Sequence, residues 1–337
     1  MVEIDVKDKK ILHNLIIDSR QSLTSIGKKV GISKELALYR IKRLQDKKII
    51  IKNTISINAE KLGYSVLNFY YNFANVNPSI KKEIIDHFVK SDQIAFIGSM
   101  EGLYDLKVTF LVGNPIEFEV FFEKTQLKYR KYFSKQSGNA AIRLDQYLYS
   151  FLVNEKTNIF EPIKLGWGVD TIPKLDNLDL NILKILSENS RIPTKEIANK
   201  LDSTITIVNN RINKLKKNGV IVNFTIHVAW KKLDYHFFSV EVIFSDFSEK
   251  NRILKYLRKN PYLINIIKPL GFNCDLEFLF CLKNVKHLRG IIEDLTTKFP
   301  TAIKSCDFSR IYEAHKNCYI PPRLLTTRNP FHKRHND

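Results

Sequence analysis

The 337-residue sequence predicts an α+β protein in which one two-domain unit occurs twice. Three observations predict this class. Residues 5–64 align without a gap with residues 176–235, and 18 of the 60 aligned positions are identical. Each repeated segment has apolar residues at helical spacing, and each is followed by aromatic-rich strand patterns that alternate with two helical patterns. The repeated segments are also basic, with net charges of +8 and +4 in a chain of net charge +19.

The first repeated segment is predicted to contain three helices. Asp8 is the expected cap of the first helix, because the apolar stripe begins at Ile11. Gly31 suits the left-handed conformation that ends a second helix, and Ser33 is a natural N-cap for a third. The β-branched stretch KKIIIKNTISIN then predicts a two-stranded wing. Together these elements predict a winged helix-turn-helix domain.

The third helix is the predicted DNA-contacting element of this domain. Ala37, Ile41 and Leu44 are spaced to face the core, so the opposite side faces solvent. A helix of this kind fits the major groove with its N-terminal residues near the base edges. The predicted DNA-contacting residues are Lys34, Glu35, Leu38, Tyr39, Arg40, Lys42 and Arg43. The alternative is an ordinary amphipathic helix with a charged outer face.

The second repeated segment predicts the same three helices with a different outer face. Asp179 occupies the position of Asp8, Pro193 opens the second helix, and Asp202 replaces the glycine of the turn, which predicts a looser turn. The predicted DNA-contacting residues are Thr206, Asn209, Asn210, Arg211, Asn213 and Lys214. Asparagine can bond adenine bidentately, whereas lysine and arginine favour guanine, so the two copies should not recognise the same bases equally well. Arg40 and Arg211 have a second interpretation, in which they brace the fold.

The segments that follow the two repeats each predict the order βαββαβ, a ferredoxin-like unit. Strands such as FYYNF and VTFLV look apolar on both faces, so the face without helices needs a cover, most simply the other copy's sheet. The predicted domains are winged helix-turn-helix domains at 1–64 and 176–235, ferredoxin-like domains at 65–153 and 236–318, a linker at 154–175 and a basic tail at 319–337.

The motifs resemble those of the Lrp/AsnC (feast/famine) transcription regulators, in two tandem copies. The matching residues include Ser19-Arg20, IGKKVGIS, YRIKRL, KLGY and Gly102-x-Tyr104-Asp105. The resemblance implies RAM-type sensing domains that dimerise, DNA binding, and a small amino-acid effector. The effector-binding positions that it implies are Gly102, Tyr104, Asp105, Gly271 and Asp275. In the alternative, Gly102 and Asp105 only form a tight turn. The second copy departs from the motif, with an extra residue and Cys274 at the tyrosine position.

We therefore predict a transcription regulator in which one chain folds as an intramolecular pseudo-dimer that binds an asymmetric site on double-stranded DNA. Catalytic residues, metals and cofactors are not expected, and further homo-oligomers are an open possibility. Siroheme decarboxylases look similar to this fold and give an enzymatic alternative, but His87, His236 and His287 are scattered along the sequence. A regulator that acts mainly on the transcription machinery is a third hypothesis. The absence of an apolar run of roughly 18 residues and of an N-terminal signal core predicts a cytoplasmic protein without a membrane partner.

Overall fold

The computed structural model describes residues 3–153, 162–166, 171–271 and 274–318. The predicted linker lies partly, and the predicted basic tail wholly, outside the described residues. No helix among the described residues is long and apolar enough to cross a lipid bilayer.

The elements of the described chain follow the predicted order. The helices are α1 (Val6–Ile17), α2 (Leu23–Val30), α3 (Lys34–Asp46), α4 (Pro78–Lys90), α5 (Pro115–Tyr129), α6 (Asn177–Glu188), α7 (Thr194–Lys200), α8 (Ile205–Lys217), α9 (Lys250–Leu257) and α10 (Val285–Lys298). The strands are β1 (Ile50–Ile57), β2 (Ser65–Phe73), β3 (Ile94–Gly102), β4 (Leu106–Val112), β5 (Phe133–Gln146), β6 (Ile163–Gly166), β7 (Ile221–Val228), β8 (His236–Phe244), β9 (Leu263–Leu270), β10 (Leu276–Leu282) and β11 (Ile303–Asn317).

The N-cap of the first helix in each repeat lies three residues before the predicted cap. Asp5 is the N-cap of α1, and Asp8 lies three residues inside the helix, where its side chain accepts from the Asp5 amide. The pair forms a capping box, and Asp176 and Asp179 repeat it in α6. The predicted cap was wrong because the apolar stripe, from which it was placed, starts one turn after the backbone becomes helical. The turn before the third helix is left-handed at Gly31 (φ 72°) and at Asp202 (φ 47°).

The predicted two-stranded wing is not formed within either repeat. The segment after α3 is the single strand β1, and its partner is β7, the equivalent strand of the other repeat. The two strands are antiparallel, and Thr54 lies opposite Thr225, its own counterpart 171 residues later. The prediction of a hairpin was wrong because this stretch has no residue pair suited to a tight reversal, such as Asn-Gly. A strand with an unpaired edge binds the strand that the fold brings nearest.

The β1–β7 ribbon exchanges core residues between the two helical domains, which we call head 1 (α1–α3) and head 2 (α6–α8). Ile55 and Ile57 of β1 pack in the core of head 2. Ile226, near the end of β7, packs in the core of head 1, beside Trp230. Each head is therefore completed by residues of the other repeat, and the two heads fold as one unit.

Eight of the nine remaining strands form a closed antiparallel barrel, and the ninth, β6, pairs with the edge of β5. The order is β2-β4-β3-β11-β8-β10-β9-β5, and β5 pairs back to β2. Each half contributes four strands, and the halves join where β3 meets β11 and where β9 meets β5. The helices α4 and α5 cover the outside of the first half through an aromatic core that includes Tyr71, Phe88 and Phe110. The predicted βαββαβ order of elements occurs in both halves.

The inner face of the barrel is polar, which corrects the predicted apolar face. The buried side chains of Tyr70 and Lys107 face the other half, and Lys107 Nζ lies 2.8 Å from Glu277 Oε1. Glu277 Oε2 also accepts a hydrogen bond of 2.8 Å from the Tyr70 hydroxyl. Leu106, Val108 and Phe110 of β4 pack in the core with the helices instead, so this strand alternates where the sequence looked uniform.

The strand β5 includes the polar segment from Phe133 onward, which pairs with β2. Within the predicted linker, β6 pairs with residues Arg143–Gln146 at the far end of β5. A strand whose side chains face a polar interior has a polar sequence, so composition alone does not identify it as a strand.

Candidate nucleic-acid interface

The third helices of the two heads, α3 and α8, are called the recognition helices below. They present most of the predicted DNA-contacting residues to solvent. Ala37, Ile41 and Leu44 are buried under α3, and Val208, Ile212 and Leu215 are buried under α8. The predicted residues that are exposed are Lys34, Glu35, Leu38, Tyr39 and Lys42 on α3, and Thr206, Asn209, Asn210, Asn213 and Lys214 on α8. Tyr39 is the most exposed large apolar side chain of α3, at 61%. The outer faces of both helices are therefore open to a duplex.

Helix capping sets where each recognition helix starts. The Ser33 hydroxyl accepts a hydrogen bond of 3.1 Å from the amide of Leu36, and Thr204 does the same for Ile207 at 3.2 Å. Both residues are natural N-caps, so the first turn of each helix is held with its amides toward solvent. This end of the helix carries the positive end of the helix dipole, which favours phosphate.

Two of the predicted cations of α3 bind carboxylates of α1 instead of facing solvent freely. Arg40 Nη1 lies 2.7 Å from Asp5 Oδ2 and 3.0 Å from Asp8 Oδ1, and Arg43 also binds Asp8, whose side chain is fully buried. The hydrogen bond to Asp5 raises the pKa of Arg40. These arginines brace the capping box of α1 against the recognition helix. The bracing interpretation of Arg40 is therefore supported, and it extends to Arg43, which the sequence analysis placed only with the DNA-contacting residues.

Head 2 has one such bridge. Arg211 Nη1 lies 2.7 Å from Asp176 Oδ2 and 3.2 Å from Asp179 Oδ2. The charge of Asp179 is the largest cause of the raised pKa of Arg211. Lys214 occupies the position of Arg43 and makes no ion pair within the described residues, so its ammonium group is available to a ligand.

A pseudo-twofold axis relates the two heads. The hydroxyls of Ser19 and Ser190, which are equivalent, lie 2.6 Å apart. Arg20 Nη1 donates to the Ser190 carbonyl at 3.0 Å, and Arg191 donates to the Ser19 carbonyl in return. Because these contacts are reciprocal, the two recognition helices are related by the same operation as the two halves of a symmetric dimer.

The five residues of the predicted effector site lie at two hairpins of the barrel. Gly102 ends β3 at φ 116°, and a Cβ there would come within 2.6 Å of the Phe308 carbonyl oxygen. Asp105 accepts a hydrogen bond of 2.8 Å from the amide of Phe73, while Tyr104 is buried against Tyr70 with ring centroids 4.8 Å apart. In the first half these residues hold the hairpin, which gives them a structural role.

The second hairpin repeats part of this arrangement. Asp275 accepts a 2.8 Å hydrogen bond from the amide of Phe244, and Gly271 is left-handed at φ 79°. The extra residue of this hairpin falls between them, where residues 272–273 lie outside the described chain. Neither of the two cavities described for this protein is lined by any of the five predicted effector residues.

Sequence reasoning missed several exposed residues of the interface. Leu36 on α3, and Ile205 and Ile207 on α8, are 39%, 46% and 45% exposed although they are apolar. An apolar residue in the first turn of a recognition helix, off the core-facing stripe, is the signal that could have found them. Such side chains can contact the methyl group of thymine.

Comparison with known proteins agrees with this geometry. An AsnC-type helix-turn-helix domain model matches residues 4–45, and a winged helix-turn-helix DNA-binding model matches residues 175–222, so each repeat has its own match. The fold and the exposed helices thus define a DNA-binding protein of the winged helix-turn-helix class with two heads. The chain belongs to the Lrp/AsnC family of transcription regulators, as a tandem member.

The relatives are shorter than this chain. An uncharacterized HTH-type transcriptional regulator of Pyrococcus abyssi is 35% identical over 129 residues, which cover 38% of this chain and 87% of the relative. The HTH-type transcriptional regulator LrpB of Bacillus subtilis is 28% identical over 122 residues, or 36% of this chain and 78% of LrpB. Similarity over the whole length is to the siroheme decarboxylase NirDL, solved with an iron-uroporphyrin III analogue. That match has a TM-score of 0.63 and 14% identity and covers 94% of each chain, which shows a shared fold.

Proposed function

We propose that the chain is a pseudo-dimeric regulator that binds an asymmetric site on double-stranded DNA. The observation that supports this proposal is the pair of exposed recognition helices, related by the Ser19–Ser190 axis but different in sequence. In this proposal, residues 65–153 and 236–318 are ferredoxin-like, RAM-type sensing domains that hold the heads, whose domains are residues 1–64 and 176–235. Heads held this way usually enter major grooves about 34–36 Å apart.

The outermost residues of the two helices suit different base pairs. On the helical wheel, Glu35, Tyr39 and Lys42 lie farthest from the buried side of α3. Glutamate accepts from the cytosine amino group and lysine donates to guanine, so head 1 suits a half-site that contains G·C pairs.

The equivalent residues of α8 are Thr206, Asn210 and Asn213. Asparagine pairs bidentately with adenine, and the exposed Ile207 suits a thymine methyl, so head 2 suits an A·T-rich half-site. Lys34 and Lys214 are the proposed phosphate contacts, since Arg40, Arg43 and Arg211 are bound to carboxylates.

Selection of bound fragments from a random DNA pool tests the proposal. The expected product is a site with two different half-sites, one rich in A·T pairs, about one helical turn apart. A matched variant of head 2, Asn210→Tyr with Asn213→Lys, carries the residues of head 1 and should shift the A·T half-site toward the other sequence. A palindromic site for the wild type, or an unchanged site for the variant, would contradict base recognition by these residues.

Effector binding at Gly102, Tyr104, Asp105, Gly271 and Asp275 is a separate proposal that rests on the family. A small amino acid would bind near these hairpins and alter the affinity for DNA. Calorimetric titration with the natural amino acids tests it, and Tyr104→Phe, which keeps the ring against that of Tyr70, tests whether the hydroxyl takes part. Contact with the transcription machinery and assembly of further copies of this chain are also proposals.

An enzymatic function is the second candidate, because the whole-length similarity is to a siroheme decarboxylase. His87, His236 and His287 lie on three different elements or their ends, and His87 Nε2 is hydrogen-bonded to Thr125 Oγ1 at 2.9 Å. Titration of the protein with an iron tetrapyrrole tests this candidate: a saturable Soret shift would support it, whereas an unchanged spectrum would remove it.

A further inference from the structure

The two halves of the barrel differ at one pair of equivalent strand ends. In the first half, β6 pairs with residues Arg143–Gln146 at the end of β5. The equivalent residues of β11 are Glu313–Lys316, since Phe133 and Ile303 pair with equivalent residues of β2 and β8. Beyond Ile311, the edge of β11 that faces away from β3 pairs with no strand of the described chain. The space that β6 occupies in the first half is therefore an open edge in the second.

A cavity of about 530 Å³ lies at this open edge. Its walls include Tyr312 and Glu313 of β11, Thr225 and His227 of the ribbon, and Trp230 just after it. A volume of this size is typical of sites for small organic molecules. The cavity touches both the ribbon that joins the heads and the edge of the barrel.

Several residues near this cavity differ in chemical character between the two halves. Ser56, Ala59 and Ser65 of the first half correspond to His227, Trp230 and His236 of the second. The three second-half residues, which carry ring nitrogens, all line the cavity, and Ser56 lines it as well. Large side chains at an open place also reduce the empty volume there, so the chemical character of these residues, and not their size, bears on a ligand.

The charge of one side chain near this cavity is also reversed between the two halves. In the first half Glu60 is hydrogen-bonded to the backbone of Gly166 in β6. The equivalent residue of the second half is Lys231, which lines the cavity. The carboxylate that lines the cavity in the described chain, Glu313, is 57% exposed and lies 4.0 Å from His315 Nδ1, so it points partly to solvent. Lys231 therefore gives this side of the cavity a positive charge, which favours a negatively charged group on a ligand.

The aromatic wall is pre-formed. The rings of Tyr149 and Trp230 stack with centroids 4.5 Å apart and an interplanar angle of 16°, and Tyr235 stands edge-on to Trp230 at 6.0 Å. Burial, and then the charge of Lys52, lower the pKa of His227 to about 4, so its ring is neutral at physiological pH. A neutral imidazole can donate one hydrogen bond and accept another.

We propose that this cavity between the ribbon and the barrel binds a small aromatic carboxylate. The ring of the ligand packs on the Trp230–Tyr149 wall, and its carboxylate binds Lys231 with His236 beside it. A ligand there contacts the ribbon on which both heads are mounted, so it biases their position relative to the barrel. This regulatory step rests on the proposed DNA-binding function, whereas the binding site itself does not.

Tryptophan fluorescence tests the site directly. The chain has two tryptophans, Trp167 and Trp230, so a Trp167→Phe variant of the full chain reports on Trp230 alone. Phenylacetate is the probe, and phenylacetamide, which has the same ring and no charge, is its matched control. The expected result is a saturable change in emission with phenylacetate and at least about tenfold weaker binding of the amide, since a charged hydrogen bond contributes about 1.5–3 kcal/mol.

Two charge reversals locate the binding. Lys231→Glu, which installs the first-half residue, should weaken phenylacetate binding by at least about tenfold, whereas Lys259→Glu, which changes the other cavity, should not. Equal binding of acid and amide, an undiminished response in Lys231→Glu, or no saturable response would overturn the proposal. A protein that binds phenylacetate through Lys231 but binds no DNA would keep this site and refute the proposed function.

Discussion

Arginine on a recognition helix serves the fold here as much as it could serve DNA. Arg40 and Arg211 occupy the same position of the two helices, and each binds the two carboxylates of a capping box. Asp8 and Asp179 have nearly no exposed surface, and a buried carboxylate without a partner is costly. The two arginines therefore lock the third helix of each head to the first.

Replacing Arg40 by alanine should lower the free energy of unfolding by about 1–3 kcal/mol, because Asp8 keeps only Arg43 as its cationic partner. The matched change Lys42→Ala, on the exposed side of the same helix, should alter stability by less than about 0.5 kcal/mol but weaken binding to the selected DNA site. Urea denaturation and fluorescence anisotropy measure the two effects. Equal stability losses in both variants would argue against the bracing role.

Glu241 is a buried carboxyl group inside the barrel whose pKa is raised to about 8 by burial and by the nearby charge of Glu277. The unfolded chain ionises this group near pH 4.5, so the unfolded state holds fewer protons between that pH and about 8. The stability associated with the protonated group is present below pH 4.5 and is lost as the pH rises toward 8.

Glu241→Gln should remove this loss, so the variant should be more stable than the wild type at about pH 8 and similar to it at about pH 5. The gain in the free energy of unfolding is at most about 1.4 kcal/mol for each unit by which the pKa of Glu241 is raised. Urea denaturation at the two pH values measures it, with the exposed Glu123→Gln as control. A variant that loses stability with pH as steeply as the wild type would contradict the assignment.

At the scale of elements, the two halves are held together by the pairing of strands from different halves. The β1–β7 ribbon completes both heads, and β3–β11 and β5–β9 close the barrel. At the centre of the barrel, Lys107 and Glu277 occupy equivalent positions of β4 and β10 and bind each other at 2.8 Å. Two copies of the first half would bring lysine to lysine at this place, and two copies of the second would bring glutamate to glutamate.

The charge pair therefore favours the pairing of unlike halves. Lys107→Glu or Glu277→Lys alone should cost about 3–5 kcal/mol, because each leaves two like charges buried together. The double variant restores opposite charges across the axis and should recover a large part of the loss, as a coupling energy in a double-mutant cycle. Additive losses in thermal or urea unfolding would mean that the pair does not determine this pairing.

At the scale of the whole molecule, the chain has a net charge of +19 and two exposed helices, α3 and α8, which we propose act together on one duplex. The pseudo-twofold axis runs through the Ser19–Ser190 contact and the Thr54–Thr225 pair of the ribbon, so the two heads are joined by direct hydrogen bonds and by a shared ribbon. Engagement of both heads should therefore release counterions from several phosphates at once.

The affinity for the selected site should fall steeply with salt. If about six phosphates are neutralised, the slope of log K against log salt is about −5, a loss of roughly a thousandfold between about 50 and 200 mM. Fluorescence anisotropy over that range measures the slope, and Lys34→Ala should make it shallower by about one unit. A flat response would contradict binding through the basic heads.

The sequence by itself determined the elements and their repetition. Apolar spacing placed α3 with the correct buried residues, and Gly31 and Ser33 marked its start, because helical periodicity and caps are properties of neighbouring residues. The exposed outer residues of both helices followed from the same spacing.

Only the tertiary structure decided which segments pair. The partner of β1 is a strand 171 residues away, and Arg40 and Arg43 find their carboxylates on another helix. The polar centre of the barrel and the cavity beside β11 arise where strands of both halves meet. Such contacts depend on which surfaces the completed fold brings together. The residues around a strand edge or an arginine do not identify its partner.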